Sequence, residues 1–243
     1  MTTPNTRRRK WLRVTRWQLS AAIRIMTWGW ALAIVVVAIA LTIIAQFADV
    51  TQSAFAYSHQ GLLWFPFSIA LAFAIAYLPI HVASGMTRAS FIKSTIITSV
   101  LTGLANTAFS MLALLAERAI YHQLGWFHGA TDEDGGDIFA GGIWNYAVAL
   151  ALLFVGGMLS GSLTGLAYYR FSGWATFLLP LTLLPILGML MFGFSDADQW
   201  TPWGTEIFGT WQGGTFVGLA VLVAACIAIA ALTRRIPIDT KKG

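Results

Sequence analysis

Six stretches of the chain are continuously apolar, at about residues 27–48, 62–83, 94–116, 143–167, 174–194 and 214–232. Each covers roughly the 20 residues that a helix rising about 1.5 Å per residue needs to cross a hydrocarbon core about 30 Å thick. Short polar segments rich in Gly, Asp, Thr and Trp separate them, and none is long enough to fold alone. The pattern predicts an all-α integral membrane protein with six transmembrane helices. A single membrane domain, 27–232, is expected between a basic N-terminal segment, 1–26, and a basic tail, 233–243. The first run is read as a span rather than a cleaved signal, because the basic region before it is too long and the run itself reaches spanning length.

Composition agrees with the pattern. Of 243 residues 57% are hydrophobic and 10% charged, against about 25% charged in soluble domains, and mean hydropathy is +0.70. Charge then gives orientation, because Lys and Arg mark the cytoplasmic flanks of short loops. All fifteen basic residues except Arg118 fall before the first span or after the second, fourth and sixth. The acidic residues lie opposite: Asp49 after the first span, Glu117 to Asp137 after the third, and Asp196 to Glu206 after the fifth, with only Asp239 on the basic side. Both termini are therefore expected in the cytoplasm, with the chain multi-pass in the cell membrane. The net charge of +5 reports topology and is not a nucleic-acid footprint. Between Trp11 and Met26 basic residues alternate with Trp11, Leu12, Val14, Trp17, Leu19, Ile23 and Ile25, which suits an amphipathic helix lying at the cytoplasmic interface on anionic lipid.

The spans lack the ionisable groups that proton- or ion-coupled transport places at mid-bilayer. His81 lies near the inner end of the second span and reads as an interfacial side chain, while His59, His122 and His128 fall in outer loops. No pair of facing ligands for haem or metal is evident. The segment Asp132 to Asp137 lacks the distal Glu of a calcium loop and reads as a solvated acidic loop. Ser160 stands between glycines in the fourth span without a His base in the last two spans, so it is read as a packing residue and not as a nucleophile. Cys226 is the single cysteine, which excludes a disulfide within the chain.

Three features remain. Gly157, Gly161 and Gly165 recur every four residues in the fourth span, a small-residue face that lets helix backbones approach closely, within the protomer or at a subunit interface. Thr95, Ser99, Thr102, Asn106 and Ser110 form one polar stripe on the third span, able to hydrogen-bond to a neighbouring helix or to line a substrate path. The inner loop Gly85 to Lys93 combines a Gly break, an N-cap-capable Thr87, the cations Arg88 and Lys93, and Phe91, expected to be exposed. An outer segment, Ser195 to Gly214, carries Trp200, Trp203, Phe208 and Trp211 and is expected to sit at headgroup level.

Through Gly85-Met86-Thr87-Arg88-Ala89-Ser90-Phe91, followed by a Ser/Thr-rich span ending in Leu-Ala-Glu117-Arg118, the chain resembles permease subunits of ATP-binding-cassette (ABC) type-2 exporters. Its six spans, inward termini, N-terminal interfacial helix and aromatic outer hairpin are similar to that family too. The resemblance implies that Thr87, Arg88 and Phe91 contact a cytoplasmic ATPase, with Gly85 ending the second span. It also implies a second permease subunit, identical or homologous, and ATP and Mg held by the partner subunits. No Gly-rich phosphate loop followed by Lys-Ser/Thr is present, so this chain is expected to bind no cofactor and to be a non-catalytic subunit. The alternative is a membrane scaffold, sensor or immunity subunit that moves no substrate.

Overall fold

The computed structural model describes residues 4–57, 59–85, 87–129, 136–139, 142–193 and 211–234. The expected acidic loop at 132–135, most of the aromatic outer segment (195–210) and the basic tail from 235 lie outside the described residues. The elements are α1 (Pro4–Phe47), α2 (Ala54–Tyr57), α3 (His59–Ala83), α4 (Arg88–Leu124), α5 (Ile143–Phe171), a 3-10 segment (Ser172–Leu178), α6 (Leu179–Gly193) and α7 (Trp211–Arg234). Five helical runs are long and apolar enough to cross a membrane: Trp11–Phe47, Ala54–His81, Arg88–Leu124, Ile143–Leu190 and Gly213–Arg234.

The fourth of these runs folds back on itself. Ser160 Oγ accepts from the Ile186 amide at 3.1 Å, and Thr164 Oγ1 donates to Thr182 Oγ1 at 3.0 Å. Residues 26 apart in a straight helix would be separated by about 39 Å, so α6 runs antiparallel to α5 and the 3-10 segment makes the turn. The same logic fixes the other directions. A Cβ built at Gly157 meets Leu63 and one at Gly165 meets Leu71 and Ala74, so α3 runs parallel to α5. Gly103 sits on Val155 and Ser99 on Ser162, so α4 is antiparallel to α5. Gly156 and Gly218 pack against Leu222 and Leu152, which makes α7 parallel to α5.

Helix α5 is central because its sequence permits it. Every residue from Leu153 to Ala167 is buried, and an all-round buried helix must be apolar or small on every face. Glycine and serine let α3, α4, α6 and α7 close around it. The Gly157, Gly161 and Gly165 face is taken by α3: at Gly161 an added Cβ would collide with the Phe67 carbonyl and lie 3.0 Å from Ala70 Cβ. Of the two roles open to this face, the structure fills the intramolecular one.

Helix α1 departs from the expected interfacial helix followed by a separate span. It is one helix of 44 residues, unbroken between Met26 and Thr27, where Thr27 Oγ1 bonds back to the Ile23 carbonyl at 2.8 Å. No Pro or Gly pair interrupts it there. One stripe crosses the anticipated boundary, with Thr15, Gln18, Ala22, Met26, Trp30 and Val37 all buried. The opposite side, including Trp28, Leu32, Val36 and Ile39, is exposed, as befits a peripheral helix facing lipid.

Candidate functional site

At one end of the bundle the chain turns between α3 and α4. Gly85 adopts φ 71°, the left-handed conformation that a side chain would strain. Thr87 then caps α4, its Oγ1 accepting from the Ser90 amide at 3.2 Å. Arg88 Nη1 donates to the Arg234 carbonyl at 2.9 Å, and Arg170 Nη1 donates to the Leu232 carbonyl at 3.5 Å. These bonds gather the start of α4 and the ends of α5 and α7, with their basic residues, at one level.

Phe91 does not belong to this surface, contrary to its expected exposure. It is 1% exposed, lies edge-on to His81 at 5.4 Å between ring centroids, and packs in the cluster of Leu78, Leu166, Ala225 and Ile229. The reason is helical phase. Once Thr87 starts α4, position 91 lies one turn beyond it on the face that meets α3 and α7, together with the buried Ser94 and Thr95. Gly85 and Thr87 are exposed and Arg88 is partly so; they remain at the surface where a partner could reach them.

The polar stripe on α4 is wholly internal. Thr95, Ser99, Thr102, Asn106 and Ser110 are each at most 8% exposed. Asn106 is its anchor: Oδ1 accepts from Trp30 Nε1 at 2.7 Å, and Nδ2 donates to the Leu62 carbonyl at 3.4 Å. Nearer the basic end, Thr98 donates to Gln18 Oε1 at 3.4 Å and Ser99 shares a hydrogen bond with Ser162 at 3.3 Å. The stripe therefore joins α1, α3 and α5. Among these five residues, Thr95 and Ser99 touch a cavity of about 20 Å³, and Ser110 one of about 10 Å³. A single water needs about 10–15 Å³, so neither is a passage for substrate in this conformation. Thr102 and Ser110 hydroxyls have no partner among the described residues. Trp30→Phe is expected to cost about 1–3 kcal/mol, because it leaves the buried Asn106 Oδ1 without its donor. The loss should appear as faster amide exchange in α1 with α5 unchanged; equal exchange in both helices would contradict the assignment.

Among the described residues the most elaborate side-chain cluster lies at the opposite end, around Glu117. This carboxylate is 4% exposed. Its Oε2 accepts from Ser53 Oγ and stands 3.2 Å from His128 Nε2. Its Oε1 accepts from the amides of Ala54 at 2.9 Å and Phe55 at 3.3 Å. Ser53 Oγ in turn accepts from the Ala56 amide at 3.1 Å, while the Ser53 amide donates to the Gly129 carbonyl at 3.0 Å. One carboxylate thus ties the start of α2, the last turns of α4 and the loop after α4. Aromatic rings close it over: His128 packs against Tyr121 and Phe139, and Tyr121 against Trp126.

Arg118, the exception to the charge asymmetry, has a local cause. It pairs with Asp137 at 3.2 Å and lies 5.3 Å over the Phe139 ring, so it holds the next loop segment against this hub. The arrangement is not that of a serine hydrolase. The carboxylate stands between Ser53 and His128, and no hydrogen bond joins those two among the described residues, so the imidazole has no route to the hydroxyl proton. No group of three His, Cys, Asp or Glu side chains able to share a metal ion occurs among the described residues. Ser160, flagged by its glycine neighbours, is fully buried and serves the Ile186 amide that follows Pro185.

Comparison with known proteins finds no matching family model, and no curated protein or solved structure with significant similarity to this chain.

Proposed function

We propose that the chain crosses the cell membrane six times with both termini cytoplasmic, and that it is the permease subunit of an ABC exporter driven by separate cytoplasmic ATPase subunits. The consistent alternation of helix direction supports the six-pass part of this reading, and the resemblance of the Gly85 to Phe91 loop supports the permease part. Helix α1 runs parallel to α4, since Gln18 meets Thr98 and Trp30 meets Asn106; α3 and α7 run parallel to α5, and α4 and α6 oppose it. Six alternating passes satisfy all of these pairings at once. In this reading the N-terminal arginines, Arg88, Arg170 and Arg234 share one end, and their excess of basic charge supports the cytoplasm as its side. The turn containing Gly85, Thr87 and Arg88 is then the cytoplasmic connection between the second and third passes, and the interior offers hydroxyls and an amide instead of a proton relay. An external source of energy fits such an interior.

Docking on an ATPase falls in this reading to Gly85, Thr87 and Arg88, without Phe91. Arg88→Glu is expected to reduce co-purification of the ATPase at least about tenfold, as reversal of one charge at a small interface does, while the melting temperature stays within about 2 °C of wild type. Undiminished capture would remove the docking assignment. A non-transporting scaffold or sensor has one observation in its favour, the closed interior along the α4 stripe. The two differ in reconstituted vesicles: a permease couples substrate to ATP hydrolysis by its partner, and a scaffold leaves hydrolysis indifferent to every substrate offered.

A further inference from the structure

Helices α5, α6 and α7 pack closely toward the acidic end, where Gly156 and Gly218 admit Met189 and Leu222. At the basic end α6 and α7 part, and a groove of about 600 Å³ opens between them on the face of α5. Its wall is apolar, from Leu163, Leu181, Ala228 and Ala231, and its mouth carries Arg170 and Arg234. We propose that this groove binds one acidic phospholipid, with an acyl chain along the apolar wall and the phosphate between the two guanidinium groups.

Three independent features point to that occupant. First, the groove faces lipid, because α6 and α7 expose Leu184, Val223 and Ile227 on the flanking surface. Second, its mouth is at headgroup depth. The adjoining 3-10 segment projects Trp174 and Phe177, 75% and 77% exposed with ring centroids 5.6 Å apart, and such aromatic residues settle at the membrane interface. Third, among the described residues no carboxylate compensates the charge. Among the described residues Arg170 makes one hydrogen bond of 3.5 Å to a backbone carbonyl and one stacking contact with Phe171, and neither arginine pairs with an acid. A guanidinium retains donors matched to a phosphate diester, and basic pockets between helices at the cytoplasmic face select anionic headgroups. A zwitterionic lipid would bring a choline cation to the same two arginines. This site is distinct from the surface arginines of α1, which line an open hollow of their own with Leu12, Arg13, Arg16 and Trp17.

The test is native mass spectrometry of the full chain released from nanodiscs made of equal parts phosphatidylglycerol and phosphatidylcholine. Wild type is expected to retain one phosphatidylglycerol at about tenfold or greater preference, on the basis of about a kilocalorie per arginine near the surface. Arg170→Gln with Arg234→Gln should bring the preference to about parity, and Ala231→Phe, which fills the groove without touching charge, should lower retention of both lipids. Arg13→Gln with Arg16→Gln should leave the preference intact. Equal retention of the two lipids by wild type overturns the proposal, as does preference lost on α1 substitution and kept in the groove variants. Capture that appears only in a chain lacking residues 235–243 would show that the tail fills the groove and would overturn it equally.

Discussion

Glu117→Ala is expected to destabilise the detergent-solubilised protein by about 3 kcal/mol or more, a drop of roughly 6 °C or more in melting temperature. Glu117 accepts from a hydroxyl and two backbone amides and shares a hydrogen bond with an imidazole. Truncation removes the acceptor these groups share, and a buried donor that loses its acceptor costs about 1–3 kcal/mol, relieved only in part by water entering the gap. Glu117→Gln should fall between, because its carbonyl can still serve the Ala54 and Phe55 amides while its NH2 group confronts Ser53 and His128. His128→Phe should cost less than Glu117→Ala, since it keeps the ring packed against Tyr121 and Phe139. Asp49→Asn, at an exposed site on the same end, is the control and should stay within about 0.5 kcal/mol. A Glu117→Ala protein that melts with the Asp49→Asn protein would remove the hub from any structural role.

That hub was scarcely legible in the sequence. Its partners come from residues 64 positions earlier and 11 later, and no spacing rule connects a loop Ser, a helix-terminal Glu and a loop His. The only signal was an acid beside Arg118 at the end of an apolar run. The helical, apolar character of these runs was legible because hydropathy reports what hydrocarbon demands. Among the described residues each expected run coincides with helix to within one residue, the fifth divided between the 3-10 segment and α6. Helix ends were not so legible. Backbone hydrogen bonding continues where hydropathy falls, so α1 begins at Pro4 and α4 extends to Leu124, well beyond their apolar runs.

The surface reading of Phe91 failed for a related reason. A short polar loop bearing Arg88 and Lys93 made its one aromatic look exposed, but Thr87 starts a helix there, and a helix turns one face inward even while its neighbours remain wet. The polar stripe shows the converse. Its periodicity on α4 was visible, and its burial followed from it; the partners Gln18, Trp30 and Ser162 were not, because they come from two other helices. Placing Trp30 Nε1 on Asn106 required knowing that α1 continues straight through the boundary at Met26.

Gly161→Leu is expected to abolish a monodisperse folded species, and Gly161→Ala to lower the melting temperature by about 2–10 °C, the equivalent of an overpacking cost of about 1–3 kcal/mol. The Ala Cβ would lie 3.0 Å from both the Phe67 carbonyl carbon and Ala70 Cβ and closer still to the Phe67 oxygen. Backbone cannot rotate aside as a flexible side chain does, so α3 and α5 must separate along the line that continues to Leu71 and Gly165. Close contact is what holds two apolar helices together in lipid, where burial against hydrocarbon gives little gain; separating them therefore costs dispersion over the whole seam. Gly61→Ala is the matched control: it lies in α3 with nothing within 4 Å of an added Cβ, and the helix propensity of Ala should make it neutral or slightly stabilising. The comparison also distinguishes the two uses of a small-residue face. Contact inside the chain predicts loss of folded monomer in Gly161→Ala and Gly165→Ala alike, whereas a face between subunits would change the oligomer and spare the melting temperature. A Gly161→Ala protein that melts with Gly61→Ala but elutes at a smaller mass would therefore return this face to a second subunit.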